Sequence, residues 1–317
     1  MMFYTLHGIC YCVYNDNYGA SSLFGAPGAE YQMSTTLTRR AVFGKKLCPD
    51  NQMCRVYATL PESTDTSVFI NVHTGVGVQD ISVVMTSNGT TVLPKVNSMF
   101  IPHFIEEFGE RKVWTFLFDG LNASTMYALN LTTSEHKILT RYKTLPKFGD
   151  AASTIKVMIG GDIELGPEGR EIFDVMSGES ADLMVIGGDI AYDNAMTYCF
   201  YSWDNFYNLI DRVNRINDTI NSRIVPFILA LGNHDVGFNG MAKVYTFPSE
   251  AGPWWFAYNP QHFDSAENRG IPKVQERKSH FTHLIGPVAL VTLDTGYMYS
   301  YEDEAKFLGE VAKKFST

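Results

Sequence analysis

Three short apolar runs in the second half of the sequence each end in glycine followed by oxygen-bearing side chains. The runs cover residues 155–159, 183–186 and 225–231. The endings are Gly160-Gly161-Asp162, Gly187-Gly188-Asp189 and Gly232-Asn233-His234-Asp235. Apolar runs of this length, bounded by glycine, predict strands that are buried on both faces. A single Gly-Asp pair after a strand is usually a turn or a helix cap, so the inference depends on the three endings together.

Helical periodicity between these runs predicts a mostly parallel α/β sheet. Pro167 can begin one helix, with Ile172, Val175 and Met176 on its inner face. A longer helix is predicted over residues 202–221, where aromatic and aliphatic residues recur at three- and four-residue spacings. Strands that alternate with helices in this way form the α/β class of domain.

The residues that follow the strands are candidates for a metal site that binds phosphate. In open α/β sheets the carboxyl ends of the strands share one crevice, so we expect Asp162, Asp189 and Asn233 to converge. Their carboxylate and amide oxygens are ligands for hard cations. Two metal ions bound there would polarise a phosphoryl oxygen and activate water.

The first half of the chain has the alternating, β-branched pattern of an all-β sandwich. Six such runs lie within residues 55–143, and the pattern predicts roughly seven strands with turns such as Asn88-Gly89 between them. Tyr127 stands where a tyrosine corner would brace a loop of the sandwich, and the alternative is an ordinary core tyrosine. The segment Leu121-Asn-Ala-Ser-Thr-Met-Tyr127 resembles the Leu-x-Pro-x-Thr-x-Tyr signature of fibronectin type III domains, with Ala123 in place of proline.

The three strand endings, in this order, resemble the blocks of the calcineurin-like metallophosphoesterase superfamily. Those blocks run Asp, then Gly-Asp, then Gly-Asn-His-Asp or Gly-Asn-His-Glu. Tyr192 lies three residues after Asp189, and Gly-Asp-x-x-Tyr is similar to the second block of purple acid phosphatases. The alternative for Tyr192 alone is a core aromatic residue.

The resemblance extends to the domain order, because the larger purple acid phosphatases carry a fibronectin-like sandwich ahead of the catalytic domain. It implies an N-terminal extension at residues 1–45, a fibronectin type III-like β-sandwich at 46–147 and an α/β metallophosphoesterase domain with a mixed, mostly parallel sheet at 152–317. Residues 279–295 look like the strand pair of the family that ends in Leu-Asp-Thr, and residues 301–315 look like the helix after it.

The resemblance also implies a chemistry, the hydrolysis of phosphoric monoesters by an acid phosphatase. The cofactor would be a dinuclear centre of Fe(III) and a divalent ion, Fe, Zn or Mn. Asp162 and Tyr192 would bind the ferric ion, Asp189 would bridge both metals, and Asn233 would bind the divalent ion.

Two further residues would serve catalysis in a purple acid phosphatase. His234 would hydrogen-bond the phosphate or protonate the departing alkoxide, and Asp235 would orient the His234 imidazole. A metal-bound hydroxide would attack phosphorus.

The sequence departs from the family at two places. Glu164 stands where the first block usually has glycine, and the Val-x-x-His and Gly-His-x-His blocks that supply three histidine ligands are absent. His280 and His283 are three residues apart in a predicted strand, so they point to opposite faces and do not replace the pair. We therefore expect a domain that is incomplete at its C-terminus, with weak metal binding and impaired activity.

Two other functions stay open at this point. A phosphodiesterase or nucleotide pyrophosphatase of the same superfamily would use the same blocks. A noncatalytic binding module would retain the sandwich and a decayed metal site. Within the segment 238–278, which is rich in aromatic residues, glycine and proline, Trp254, Trp255 and Tyr258 could form a substrate wall or could pack the loop.

Charge and composition exclude some partners and bear on location. The formal net charge of −9 argues against nucleic acid, and no apolar run reaches the roughly 20 residues that cross a bilayer. Sequons at Asn88, Asn122, Asn130 and Asn217 favour a glycoprotein that is secreted, vacuolar or lysosomal, although the N-terminus lacks the basic residues of a signal peptide. Cys48 and Cys54 could form a small-loop disulfide or stay reduced.

Overall fold

The N-terminal half of the chain is rich in β-strands. The computed structural model describes residues 47–102, 109–163, 167–193, 195, 200–215, 221–236, 252–261, 270–294 and 296–315. The strands of this half are β1 (Met53–Thr59), β2 (Val68–Thr74), β3 (Ser82–Ser87), β4 (Thr90–Val92), β5 (Val96–Phe100), β6 (Lys112–Phe118), β7 (Met126–Thr132) and β8 (Lys137–Lys143). The extension at residues 1–45 lies outside the described residues.

These strands form two antiparallel layers. The order β5-β6-β2-β1 belongs to one sheet and β4-β3-β7-β8 to the other. Alternate residues of β7 are buried, as in a strand with one face on the core and one toward solvent. Apolar side chains from both layers, including Val56, Phe116 and Leu129, belong to one buried core. The described strands thus form the layers expected for a sandwich.

Two local predictions in this half are confirmed by the backbone. Asn88 and Gly89 have φ of 49° and 78° and form the two-residue connection of the β3–β4 hairpin, because such a turn needs positive φ at both positions. Tyr127 is buried, and its hydroxyl accepts a hydrogen bond from the Asn122 backbone N–H at 2.8 Å. This contact between a strand tyrosine and the loop before it is the geometry of a tyrosine corner.

The second half contains three parallel strands and four α-helices among the described residues. The parallel strands are β9 (Val157–Gly160), β10 (Leu183–Ile186) and β11 (Phe227–Leu229). The helices are α1 (Pro167–Gly178), α2 (Phe200–Asn214), α3 (Pro253–Tyr258) and α4 (Tyr301–Phe315), with a 3₁₀-helix at Val274–Glu276. The antiparallel pair β12 (Phe281–Ile285) and β13 (Val288–Thr292) forms a separate two-stranded sheet.

The predicted inner face of α1 is wrong for Ile172 and Val175, whereas Met176 does pack against the core. Ile172 and Val175 are 60% and 69% exposed, whereas Phe173 is 4% exposed. The helix packs on α2 through Phe173 and the half-buried Met176, so its buried stripe is rotated by about one residue, or roughly 100°. Phe173 has the larger apolar surface, and burying it outweighs burying Ile172.

The parallel strands continue the sheet of the N-terminal half. Strand β1 pairs in parallel with β11 through Thr59 and Phe227, which gives one seven-stranded sheet in the order β5-β6-β2-β1-β11-β10-β9. A second bridge joins Tyr142 to Ile224. The segments 46–147 and 152–317 therefore share backbone hydrogen bonds, and their division into two domains stays a prediction.

Buried ion pairs reinforce this connection. Arg111, which directly precedes β6, is fully buried. Its guanidinium donates to both carboxylate oxygens of Asp204 on α2, at 3.0 and 2.7 Å. Arg55 of β1 donates to Asp204 at 3.3 Å and to Asp211 at 3.1 Å. Burial alone would raise the pKa of Asp204, but the charge and hydrogen bonds of Arg111 hold that pKa below its usual range.

A disulfide closes the loop before β1. Cys48 and Cys54 are bonded, with their Cα atoms 5.3 Å apart. Of the two states that the sequence left open for these cysteines, the structure has the bonded one.

Candidate metal centre

The ends of β9 and β10 are held together by backbone hydrogen bonds. Gly187 N–H donates to the Gly160 carbonyl at 2.7 Å, Asp162 N–H to the Gly188 carbonyl at 3.1 Å, and Ile163 N–H to the Asp189 carbonyl at 2.9 Å. The two Gly-Gly-Asp segments, 27 positions apart in the sequence, therefore run side by side past the ends of their strands. The convergence of Asp162 and Asp189 at one edge of the sheet follows from this pairing.

Asp235 attaches the third strand ending to the second. Its carboxylate accepts hydrogen bonds from the backbone N–H groups of Gly232 at 2.9 Å, Asp189 at 2.9 Å and Ile190 at 3.0 Å. Both oxygens of Asp235 thus bind backbone amides, and its expected role of orienting the His234 imidazole stays a prediction. Burial, together with the Asp189 charge, raises the pKa of Asp235 to about 7 despite these three bonds.

His234 contacts the second strand ending and is linked through it to the first. Its backbone N–H donates to Asp189 Oδ1 at 2.9 Å. Its ring stacks on the Tyr192 ring, with centroids 4.9 Å apart and planes at 27°. The Tyr192 hydroxyl in turn lies 3.5 Å from Asp162 Oδ1. Four of the predicted site residues are thus linked in one cluster, and Asn233 is adjacent to it in the turn that carries His234.

Three of the predicted ligands have an uncommon backbone conformation. The φ angles of Asp162, Asp189 and Tyr192 are 51°, 52° and 52°, in the left-handed region that only a few per cent of non-glycine residues occupy. Backbone strain of this kind concentrates at functional sites, where the surrounding structure has to maintain it. No feature of the sequence indicated it.

Two glycines make the close approach of the strand endings possible. A Cβ atom on Gly232 would lie 2.2 Å from Asp189 Oδ1 and 2.3 Å from the Asp189 backbone nitrogen. Gly188 has a φ of 104°, and a Cβ there would lie 2.8 Å from Gly232 Cα. Gly188 and Gly232 therefore let the backbones of the second and third strand endings meet without side chains between them.

A carboxylate that the sequence reasoning missed holds the segment after Tyr192. Asp193 is buried, accepts a hydrogen bond from Trp203 Nε1 at 2.7 Å, and accepts another from the Ala195 backbone N–H at 3.1 Å. Burial raises the pKa of Asp193 well above its usual range. In the sequence, the only indication of a role for Asp193 is its position directly after Tyr192. Its partner Trp203 lies in the helix that the sequence predicts over residues 202–221.

The gathered donors fit a hard metal cation in their chemistry. Carboxylate, phenol and amide oxygens are ligands for Fe(III) and for small divalent ions. The 3.5 Å between Tyr192 Oη and Asp162 Oδ1 is near the separation of two oxygens on one cation, roughly 3 Å for bonds of about 2.1 Å. Among the described residues no three His, Cys, Asp or Glu side chains form a metal cluster.

Other candidates lie away from this cluster or outside the described residues. His280 stacks between Tyr299 and Phe307, and His283 contacts the Leu60 carbonyl at 2.9 Å. Glu164 is outside the described residues, as is much of the segment 238–278.

The aromatic residues at 254, 255 and 258 are packed rather than exposed. Trp254, Trp255 and Tyr258 are all buried, and Trp255 donates from Nε1 to the Ala230 carbonyl at 3.3 Å. Of the two alternatives for these residues, the structure favours packing of the loop. In the part of the chain that the structure describes, no helix is both long and apolar enough to span a membrane.

Comparison with known proteins gives one family match, in the second half of the chain. Residues 167–309 match the family model of the calcineurin-like phosphoesterases. Its members are associated with phosphoester hydrolysis at a metal site. The matched region includes Asp189, Tyr192 and the segment 233–235, and begins after Asp162. None of the curated proteins compared matches the sequence.

Two solved structures to which the chain was compared are similar to it only at a low level. The amylomaltase of Corynebacterium glutamicum is 16% identical with a TM-score of 0.23, over 57% of this chain and 26% of that chain. Astrotactin-2, a vertebrate-specific, perforin-like membrane protein, is 10% identical with a TM-score of 0.23, over 62% of this chain and 46% of that chain. The chain spans less than half of either structure, and scores this low carry no argument about its fold or function.

Proposed function

We propose that the calcineurin-like phosphoesterase domain of this chain is of the purple acid phosphatase type and hydrolyses phosphoric monoesters. The observation that carries the proposal is the cluster formed by Asp162, Asp189, Tyr192 and His234 at the shared edge of β9, β10 and β11. A tyrosine hydroxyl beside a carboxylate is the donor pair that favours a ferric ion over a softer metal.

In this proposal Asp162 and Tyr192 would hold Fe(III), Asp189 would serve both metals, and Asn233 would hold a divalent ion, Fe, Zn or Mn. When bound, the metals would supply charge stabilisation of the phosphoryl oxygens and lower the pKa of water. Asp189 is suited to the central position because its loop is bonded to both neighbouring strand endings.

His234 is proposed as the acid that protonates the departing alkoxide oxygen. Its ring is fixed by stacking on Tyr192, and its backbone is fixed by the bond to Asp189. A catalytic group held in this way loses little further entropy when substrate binds. Asp235 acts as a positioning residue through the backbone of Gly232, Asp189 and Ile190.

Metal loading followed by visible absorption spectroscopy tests the proposal. After titration with Fe(III), the protein should show a tyrosinate-to-iron charge-transfer band, which Tyr192→Phe should remove. Tyr301→Phe is the matched control, because Tyr301 is exposed on α4 away from the cluster. An unchanged band in Tyr192→Phe would contradict the assignment of the iron ligand.

Substrate class is tested with the metal-loaded protein on phenyl phosphate and on a bis-phenyl phosphate diester. The monoester should be hydrolysed faster, and His234→Gln should slow that reaction. Faster cleavage of the diester would favour the phosphodiesterase alternative. Stoichiometric metal binding without hydrolysis of either ester would favour the noncatalytic module.

We also propose that the protein matures in an oxidising compartment and is secreted, vacuolar or lysosomal. The Cys48–Cys54 disulfide and the exposed sequon asparagines Asn88 and Asn122 support this location. Expression in a eukaryotic host followed by deglycosylation should lower the apparent mass. A protein with free thiols and no glycan would contradict the proposal.

A further inference from the structure

A cavity of about 560 Å³ lies between the edge strand β5, helix α3 and the 3₁₀-helix Val274–Glu276. Its walls are mostly apolar and include Met99, Phe100, Ile101 and Trp254. A volume of this size is in the range of pockets that hold small organic ligands. Two cationic side chains, Arg277 and Lys273, line the same cavity.

Arg277 is the unusual member of this lining because it is a buried cation. The residue is 5% exposed, and its Nη1 donates to the carbonyls of Phe256 and Ala257 in the last turn of α3, the latter at 2.9 Å. Its Nε donates to the Pro272 carbonyl at 3.2 Å. Nη1 thus caps the end of α3 and Nε binds the Pro272 segment, whereas none of the described residues accepts a bond from Nη2.

The charge of Arg277 is not neutralised by any carboxylate of the described residues. Buried charges in proteins are normally paired, because an unpaired one keeps its desolvation cost. The cost is visible here, since burial lowers the pKa of Arg277 to about 10. Lys273 adds a second positive charge, and Glu276, which binds the Lys273 backbone N–H at 3.1 Å, does not line the cavity.

We propose that this cavity binds a small organic anion with an apolar body. The head group, a carboxylate or an equivalent monoanion, binds Arg277 Nη2 and Lys273, and the body packs against Met99, Phe100 and Trp254. The head group of this ligand supplies Arg277 with the negative charge that no described carboxylate provides. Its apolar body covers the apolar walls of the cavity, which otherwise face open space.

The cavity is distinct from the metal centre. Helix α3 separates them, since Gly252 at its start lies beside the Asp235 carbonyl while Trp254 and Ala257 face the cavity. The anion and the metals should therefore bind independently, and the inference holds whether or not the chain is a phosphatase.

Isothermal titration of metal-free protein with decanoate, and with 1-decanol as the uncharged analogue, tests the proposal. Decanoate should bind saturably with one site per chain, and decanol should bind at least tenfold more weakly, in line with loss of a charge-assisted bond. Equal binding of the two, or no saturable binding of decanoate, would overturn the proposal.

Three variants locate the site. Met99→Glu places a negative charge at a partly exposed position of the lining, and Lys273→Met removes an exposed cation, so both should fold and both should weaken decanoate binding. Lys278→Met is the matched control, an exposed lysine next to Arg277 that does not line the cavity. Arg277→Met should lower affinity most, and unchanged affinity in Met99→Glu and Lys273→Met would place decanoate elsewhere.

Discussion

The guanidinium of Arg111 and the carboxylate of Asp204 form a bidentate ion pair, with hydrogen bonds of 3.0 and 2.7 Å between side chains that are 0% and 4% exposed. The pair joins the β-layers of the N-terminal half to helix α2 of the second half. Because both side chains are shielded from water, each charge depends on its protein partners to replace the lost solvation, and this bidentate pair contributes two of those contacts.

Removing one member of this pair should be strongly destabilising. In Asp204→Leu the buried Arg111 charge would be uncompensated, and we expect a loss of about 3–5 kcal/mol in the free energy of unfolding. Urea denaturation followed by circular dichroism measures it. The control is Lys95→Met, which breaks the exposed Lys95–Asp119 pair and should cost less than about 1 kcal/mol; similar losses in both variants would contradict the structure.

The tyrosine corner should contribute measurably to stability. Tyr127→Phe removes the acceptor of the Asn122 N–H bond, and we expect a loss of about 0.5–1.5 kcal/mol. Tyr142→Phe is a matched control, because the Tyr142 hydroxyl is buried without a hydrogen-bond partner among the described residues. That variant should be as stable as the parent or slightly more so, and the reverse ranking would argue against the corner.

The close approach at Gly232 should be essential to the metal centre. Gly232→Ala would push a methyl group into Asp189 Oδ1, so the carboxylate has to move. Displacement of a reacting group by about 1 Å can cost on the order of 100-fold in rate. We therefore expect Gly232→Ala to lose esterase activity by a factor of that order and to bind metal more weakly. In Gly160→Ala, where a Cβ meets nothing within 4 Å, metal affinity should be kept. Equal effects of the two substitutions would indicate that the steric argument is wrong.

Glu304 should make the protein less stable as pH rises toward neutrality. Burial on α4, and the charges of Asp294 and Asp303, raise the pKa of Glu304 from 4.5 to about 7, although its carboxylate contacts His280 at 3.1 Å. Its folded-state pKa is above the unfolded value, so its stabilising contribution is complete below about pH 4.5 and is lost through about pH 7. Melting temperatures measured over this interval should fall less in Glu304→Gln than in the parent.

The control for the pH experiment is Glu302→Gln, an exposed carboxyl on the same helix. Its melting profile should follow that of the parent. The same pH dependence in Glu304→Gln and in the parent would contradict the raised pKa of Glu304 as the source of the effect.

Local patterns predicted most of the elements, and long-range contacts explain the rest. Strands β7 and β10 agree with the sequence prediction because alternation and short apolar runs are local signals. Strands β4 and β5 were missed, since one has three residues and the other lies at a sheet edge with a weak pattern. The pairing of β1 with β11 could not be predicted, because the partners are over 160 residues apart in sequence.

The candidate site shows the same division between local and long-range signals. The glycine-bounded strand ends predicted which side chains would meet, and Asp162, Tyr192 and His234 do lie together. The position of Asp235 could not be predicted, because its ligands are backbone amides from two separate loops. The chemical identity of each side chain can be read from the sequence, whereas the direction of a backbone N–H group depends on the fold.

The seven-stranded sheet has a consequence for how the chain responds to proteolysis. The segment between β8 and β9 is largely exposed around Lys147, and Gly149 has a φ of 86°. A single cut there would sever the polypeptide backbone between the two halves. The Thr59–Phe227 pairing, the Tyr142–Ile224 bridge and the Arg111–Asp204 pair would remain. The nicked protein should elute from a sizing column as one particle, a noncovalent dimer of its own two fragments.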